Sequence, residues 1–165
     1  MKLNSGIIEV TVAQLLNYRK YIIIPNVSHG FFYNQEADML VIDSNDRLSE
    51  IEIKISIADL KADFKKPKHT NPSELISRLI YAIPEELLEK AELIIPKKYG
   101  IITIRSYEDK GIIHAFANWH RMVRCNKEIK PLGIRDIRNL ARLGCMRIWS
   151  LKQHNNRNSF KALKN

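Results

Sequence analysis

The chain has 165 residues, 45% of them hydrophobic and 27% charged, with a formal net charge of +9. That length suits one domain with a real core, and the composition is globular rather than disordered or fibrous. No apolar run approaches the roughly 20 residues that cross a bilayer, and the opening MKLNSGIIEV lacks the basic start and long apolar core of a signal peptide. Cys125 and Cys145, with no CxxC spacing, argue against a disulfide framework or a zinc site. The expected setting is therefore the cytoplasm, with both thiols reduced.

In chain order, VTVAQLLNYRKY (10–21) reads as a short helix with Val12, Leu15 and Leu16 on one face. YIIIPNV (21–27) is β-branched and strand-like, and Pro25 places it at a sheet edge or a bulge. His29 and Gly30 follow in a turn. Two strands lie within EADMLVIDSNDRLSEIEIKIS (36–56), then a basic helix, IADLKADFKKPKH (57–69), which Pro67 should end. SRLIYAIP (77–84) is a buried strand, and PEELLEKAEL (84–93) opens with proline and acids, as helices do. GIITIRSY (100–107) and GIIHAFAN (111–118) form a strand pair around EDK. Finally GIRDIRNLARLGCMRIWSLKQ (133–153) carries Ile134, Ile137, Leu140, Ala141, Cys145, Ile148 and Trp149 at helical spacing. The expectation is one mixed α/β domain over residues 1–165.

The charge is segregated. From Trp119 onward there are twelve Lys or Arg and two acidic residues, a balance of +10, which leaves −1 for residues 1–118. Residues 119–165 thus form a basic extension packed on the domain, and a one-sided excess points to a polyanionic partner, nucleic acid first.

The middle strands carry charges where a sheet wants apolar residues. Alternation puts Ile51, Ile53 and Ile55 on one face, and Glu50, Glu52 and Lys54 on the other. A hairpin with a three-residue loop at Ser44–Asp46 sets Asp43 against Arg47, Leu40 against Glu50 and Asp38 against Glu52. A one-residue shift would mix the faces, so the pattern itself selects this register. Opposed carboxylates repel unless a cation sits between them. A hard divalent ion such as Mg²⁺ suits oxygen ligands, and Lys54 beside it could orient water or stabilise charge on a phosphate. The competing interpretation is a solvated sheet face with cross-strand ion pairs.

Asp38, then Glu52-x-Lys54, then a helix resembles the PD-(D/E)XK nuclease superfamily, of restriction-endonuclease-like fold. That core runs helix, three-stranded antiparallel meander, helix, strand, like the order read over residues 10–84. The string EADMLVID…EIEIKIS…DLKADFKK is most similar to small stand-alone members, including the MmcB-like DNA-repair proteins. The likeness covers roughly residues 10–105, with Ala37 where the family pattern has proline. It implies that Asp38 and Glu52 bind the metal, helped by the backbone carbonyl of Ile53, and that Lys54 is the catalytic lysine. Glu9, at the start of the first helix, would be the extra carboxylate some members carry.

Beyond that core, Lys61, Lys65, Lys66, Lys68 and His69 on the helix after the site are candidate phosphate contacts, and Ser56 a group on the cleft rim. Asp59 and Asp63 are expected to pair with lysines rather than hold a second metal. His114, Asn118 and His120 read as a sheet face. Arg135, Arg138 and Arg142 line the last helix opposite its apolar stripe and suit a nucleic-acid backbone. The reading is a Mg²⁺-dependent nuclease (Mn²⁺ substituting) on DNA rather than RNA, with no membrane role and a homodimer left open. Its rivals are a DNA-binding accessory protein of the same fold with little or no cleavage, and a basic protein-interaction module.

Overall fold

Asn4 sets the start of the first helix: its side chain accepts the Ile7 amide at 2.9 Å, satisfying a donor that the first turn leaves unpaired. Helix α1 therefore spans Ser5–Leu15, earlier than the apolar spacing suggested, and Glu9 falls mid-helix instead of at its start. The structure is a computed structural model that describes residues 3–27 and 36–162, with side chains through residue 156. His29 and Gly30 lie outside the described residues.

Among the described residues six strands follow: β1 (Ile22–Val27), β2 (Ala37–Ile42), β3 (Leu48–Ile53), β4 (Ile76–Pro84), β5 (Gly100–Asp109) and β6 (Ile112–Arg121). They form one sheet in sequence order. Pairing is antiparallel from β1 to β3, parallel from β3 to β5, and antiparallel between β5 and β6. Pro25 thus sits on an edge strand, where its missing amide costs least. Between β3 and β4 come α2 (Ile57–Asp63) and a single 3₁₀ turn, Pro67–His69. The basic helix is accordingly shorter than its sequence suggested: it stops at Asp63, and Pro67 opens the next turn, where a missing amide is harmless. A 3₁₀ turn at Glu85–Leu87 leads into α3 (Leu88–Glu92). The β5–β6 hairpin turns at Lys110 and Gly111, both at positive φ, and not at the preceding acids. Helix α4 runs from Ile134 to Ala162, past the expected end at residue 153.

Strand alternation divides the core. Met39, Val41, Ile51, Ile53, Ile80 and Ile102 pack on one face beneath Ile8 and Val12 of α1. The opposite face carries two apolar patches. Leu40, Ile42 and Leu48 meet Leu132 and Leu140, the latter from α4. Leu79, Tyr81 and Ile83 meet Leu60 of α2 and Ala91 of α3. Between these patches the sheet presents Glu50 and Glu52. No described helix is long and apolar enough to cross a membrane.

Candidate functional site

The β2–β3 register is the one the alternation selects: Leu40 pairs with Glu50 and Met39 with Ile51, which puts Asp38 next in line with Glu52. At Asp38 the side chain continues the ladder, its Oδ2 accepting the Ile53 amide at 2.7 Å. β3 stays bonded to β4 one residue further, through Lys54 N–H to the Ala82 carbonyl at 3.0 Å. Lys54 is thereby held beside Glu52, with Nζ 2.5 Å from Glu52 Oε2, 3.4 Å from Asp63 Oδ1 and 3.7 Å from Asp38 Oδ2. Glu52 and Lys54 are buried, whereas the Asp38 side chain is 40% exposed.

The chain reverses after α2, and that brings a second cation inward. Lys68 Nζ lies 2.7 Å from Glu52 Oε1, 3.0 Å from Glu50 Oε1 and 3.4 Å from Asp63 Oδ2. Asp63 is the hub: fully buried, it accepts the Tyr81 hydroxyl at 2.8 Å, lies 3.2 Å from His69 Nε2 and pairs with Lys66 at 2.9 Å. His69 Nδ1 in turn meets the Tyr99 hydroxyl at 3.3 Å. Glu52 Oε1 and Asp63 Oδ1 accept no well-aligned hydrogen bond; each instead lies against an ammonium.

Charge follows this geometry. Burial raises the Asp38 carboxyl above its ordinary value and the neighbouring charge of Glu52 adds to it, while the Ile53 amide and Lys54 pull the other way. Burial pushes Glu50 up to about 7 against the opposing pull of Lys68. Burial alone would lower Lys54, but Glu52, Asp63 and Asp38 outweigh it and hold the ammonium above its usual range. Burial would likewise raise Asp63, yet Lys68, Lys66, Lys54 and Tyr81 hold it well below the carboxylate norm. Burial lowers His69 despite the adjacent Asp63.

Glu9 reaches the same region from α1. Its Oε2 accepts from Asn26 Nδ2 at 3.3 Å, and burial with the nearby Asp38 charge raises its carboxyl. Glu9 and Asp38 line a cavity of about 740 Å³ whose far side is Arg147, Ser150 and His154 of α4. Among the described residues, no three His, Cys, Asp or Glu side chains group as a metal site.

Residues 4–153 match the family described as "MmcB-like: DNA repair protein MmcB-like". The chain belongs to that family. A solved structure, "SPO1766 protein of unknown function from Silicibacter pomeroyi", is similar in fold, with a TM-score of 0.62, 18% identity and 94% of each chain covered. No curated protein matches the chain.

Within this family member, the other predicted contacts divide. Lys61 and Lys65 are exposed, as a phosphate-facing pair would be. Lys68 and His69 are not on that surface: both turn into the Asp63–Glu52 network, where the buried carboxylates take the Lys68 ammonium and the His69 ring as partners. Lys66 is half in, pairing with Asp63 while its side chain remains 45% exposed. The Ser56 hydroxyl is the N-cap of α2, accepting the Asp59 amide at 3.1 Å. Asp63 does pair with lysines, though as a buried hub and mostly across elements. His120 pairs with Glu92 at 2.8 Å and His114 stacks on Tyr107, both on β6. Arg135, Arg138 and Arg142 are exposed on α4. Tyr81 and Tyr99 escaped sequence reasoning; for Tyr81 the signal was a tyrosine in an otherwise apolar strand, whose hydroxyl must find a partner once buried.

Proposed function

We propose that this protein is a Mg²⁺-dependent nuclease acting on DNA, built on a restriction-endonuclease-like core. The observation that carries the reading is the convergence of Asp38, Glu52 and Lys54 on one sheet face, in a chain of a DNA-repair family. The order helix, three strands, helix, strand through Pro84 supports that core.

The donors fit the metal. Mg²⁺ needs only one or two carboxylates and keeps several waters, so Asp38, Glu52 and the Ile53 carbonyl would suffice, with Glu9 adding charge from α1. One feature favours a cation there: the Asp38 carboxyl is raised, by burial first and then by the neighbouring charge of Glu52. Mn²⁺ takes the same oxygen ligands. When bound, the ion would supply Lewis acidity toward a phosphate oxygen. The chain's own residues supply the rest. Lys54 stays protonated because three carboxylates surround it, so it acts as a fixed positive charge for the developing phosphate charge and not as a base. Asp63 and Glu52 fix the direction of that ammonium from two sides.

One observation favours the accessory-protein reading. Glu52 is bracketed by two ammonium groups, Lys54 at 2.5 Å and Lys68 at 2.7 Å, an arrangement complete without a metal. Duplex, nicked and single-stranded DNA, and RNA, incubated with Mg²⁺ or Mn²⁺ separate the readings. Cleavage by the wild type that vanishes in Lys54→Ala supports the nuclease. Binding without cleavage in both gives the accessory protein, and neither activity leaves a protein-interaction module.

A further inference from the structure

We propose that a second cavity, next to the candidate site, is a pocket for one unstacked nucleotide; the inference rests on the reading of DNA as partner. The cavity holds about 560 Å³, within the ~300–1,000 Å³ of small-molecule sites. Its lining is apolar at Ile76, Leu79 and Ile129, and cationic at Arg78, Lys98 and Arg124. That pairing of an apolar surface with phosphate-binding groups is what a base and its phosphate require together.

The pocket is preformed. Arg47 holds the segment that forms one wall, donating from Nη1 to the Asn126 carbonyl at 3.1 Å and the Ile129 carbonyl at 2.6 Å. The Asn126 amide ties the same segment to the Ser77 carbonyl at 2.7 Å. Arg78 is fixed by Ser49, its Nε donating to the hydroxyl at 2.7 Å, and by Asp43 at 3.7 Å. Lys98 lies 5.0 Å from the centre of the Tyr99 ring. Arg124 is exposed and makes no ion pair with a described residue.

Location links the pocket to the candidate site. Glu36 and Ala37 line both this cavity and the one holding Glu9 and Asp38, so the two are contiguous along the start of β2. Glu50 and Lys68 belong at once to the pocket and to the Glu52 network. Three carboxylates, Glu36, Glu50 and Glu74, also line the cavity. They disfavour a bare anion, yet accept from the exocyclic amines of bases, so a nucleotide fits better than free phosphate. Taking a base out of its stack is costly, least so where it is already unpaired; single-stranded or damaged segments would fill the pocket first.

The test titrates the intact chain with dCMP, and with inorganic phosphate in parallel, by calorimetry. Lys98→Gln combined with Arg124→Gln, both at exposed positions, should weaken dCMP binding by about tenfold or more, the loss of 1.4 kcal/mol or more. Glu74→Lys should strengthen it, and Ile76→Trp, which fills the cavity, should abolish it. The Lys98/Arg124 pair decides if Ile76→Trp misfolds. Inorganic phosphate binding as tightly as dCMP, or dCMP affinity unchanged in the double variant, overturns the pocket. Duplex binding by the wild type, measured alongside, keeps the two readings apart. If it persists while dCMP is indifferent to the variants, only the pocket falls; if the wild type binds no nucleic acid, both fall.

Discussion

Burial and Lys68 act in opposite directions on Glu50, and burial wins, placing its carboxyl at about 7 against an ordinary 4.5. Between those values the folded chain binds more protons than the unfolded one, so Glu50 makes stability fall as pH rises through that window. Glu50→Gln removes the titration, and the wild type should lose up to about 3 kcal/mol relative to it between pH 4.5 and 7. Parallel stability–pH curves for the two proteins, by denaturant unfolding, would show that Glu50 titrates normally. Asp63 has the opposite sign: its depressed carboxyl contributes stability that is lost only in acid below the ordinary carboxylate range. Network position also separates Glu52 from Asp38. Two opposed carboxylates taken alone suggest that deleting either relieves repulsion, but Glu52 compensates the buried Lys54 ammonium and the largely buried Lys68 ammonium. Glu52→Ala should therefore cost about 3–5 kcal/mol by leaving those charges unpaired. Asp38→Ala forfeits one bond from a partly exposed side chain, about 1 kcal/mol. Equal losses in the two variants, by chemical denaturation, would refute the network as a structural unit.

Among the elements, α1 offers the simplest check: Asn4→Ala removes the cap on Ile7 and should lower stability by about 1 kcal/mol, read as a shift in the denaturation midpoint. That cap was present in the sequence but hidden, because Ser5–Val10 mixes apolar and polar residues without clear periodicity. The β2–β3 hairpin was legible for the opposite reason. A period of two allows only registers that keep Leu40, Ile42 and Leu48 on one face, and Asp38 and Glu52 follow from it. What local pattern could not give is the reversal between Phe64 and Thr70. It returns Lys68 and His69 to the sheet, and its cause is tertiary: Asp63 sits beneath Tyr81, and its buried carboxylate takes the Lys68 ammonium and the His69 ring as partners. Helix α4 shows the same limit. Ile137, Leu140 and Leu143 meet Ile24 and Leu40, whereas Ile148 and Trp149 stand 55% and 63% exposed although they continue the same stripe. Spacing identifies an apolar stripe; only the neighbouring elements decide how far it is covered.

At the scale of the molecule, the division of charge in the sequence becomes a division in space. The carboxylates of the sheet face and of Asp63 are matched locally by Lys54, Lys66 and Lys68, so the net excess lies on the extension that ends in α4, whose Arg135, Arg138 and Arg142 are exposed. Such charges draw a polyanion from any sequence and release counterions on binding. Replacing all three arginines with glutamine should weaken duplex binding similarly for every sequence tested. It should also flatten the slope of log affinity against log salt by about 0.9 for each phosphate that the protein no longer neutralises. Mn²⁺ affinity at the proposed Asp38–Glu52 site should be unaffected, because none of the three arginines lines the Asp38 cavity, whose α4 wall is Arg147, Ser150, Leu151 and His154. Affinity measured from low to moderate salt on two unrelated duplexes decides the matter. An unchanged slope would mean that α4 turns its arginines toward a protein, and the charge argument for a nucleic-acid partner would fail while the sheet-face cluster kept its own.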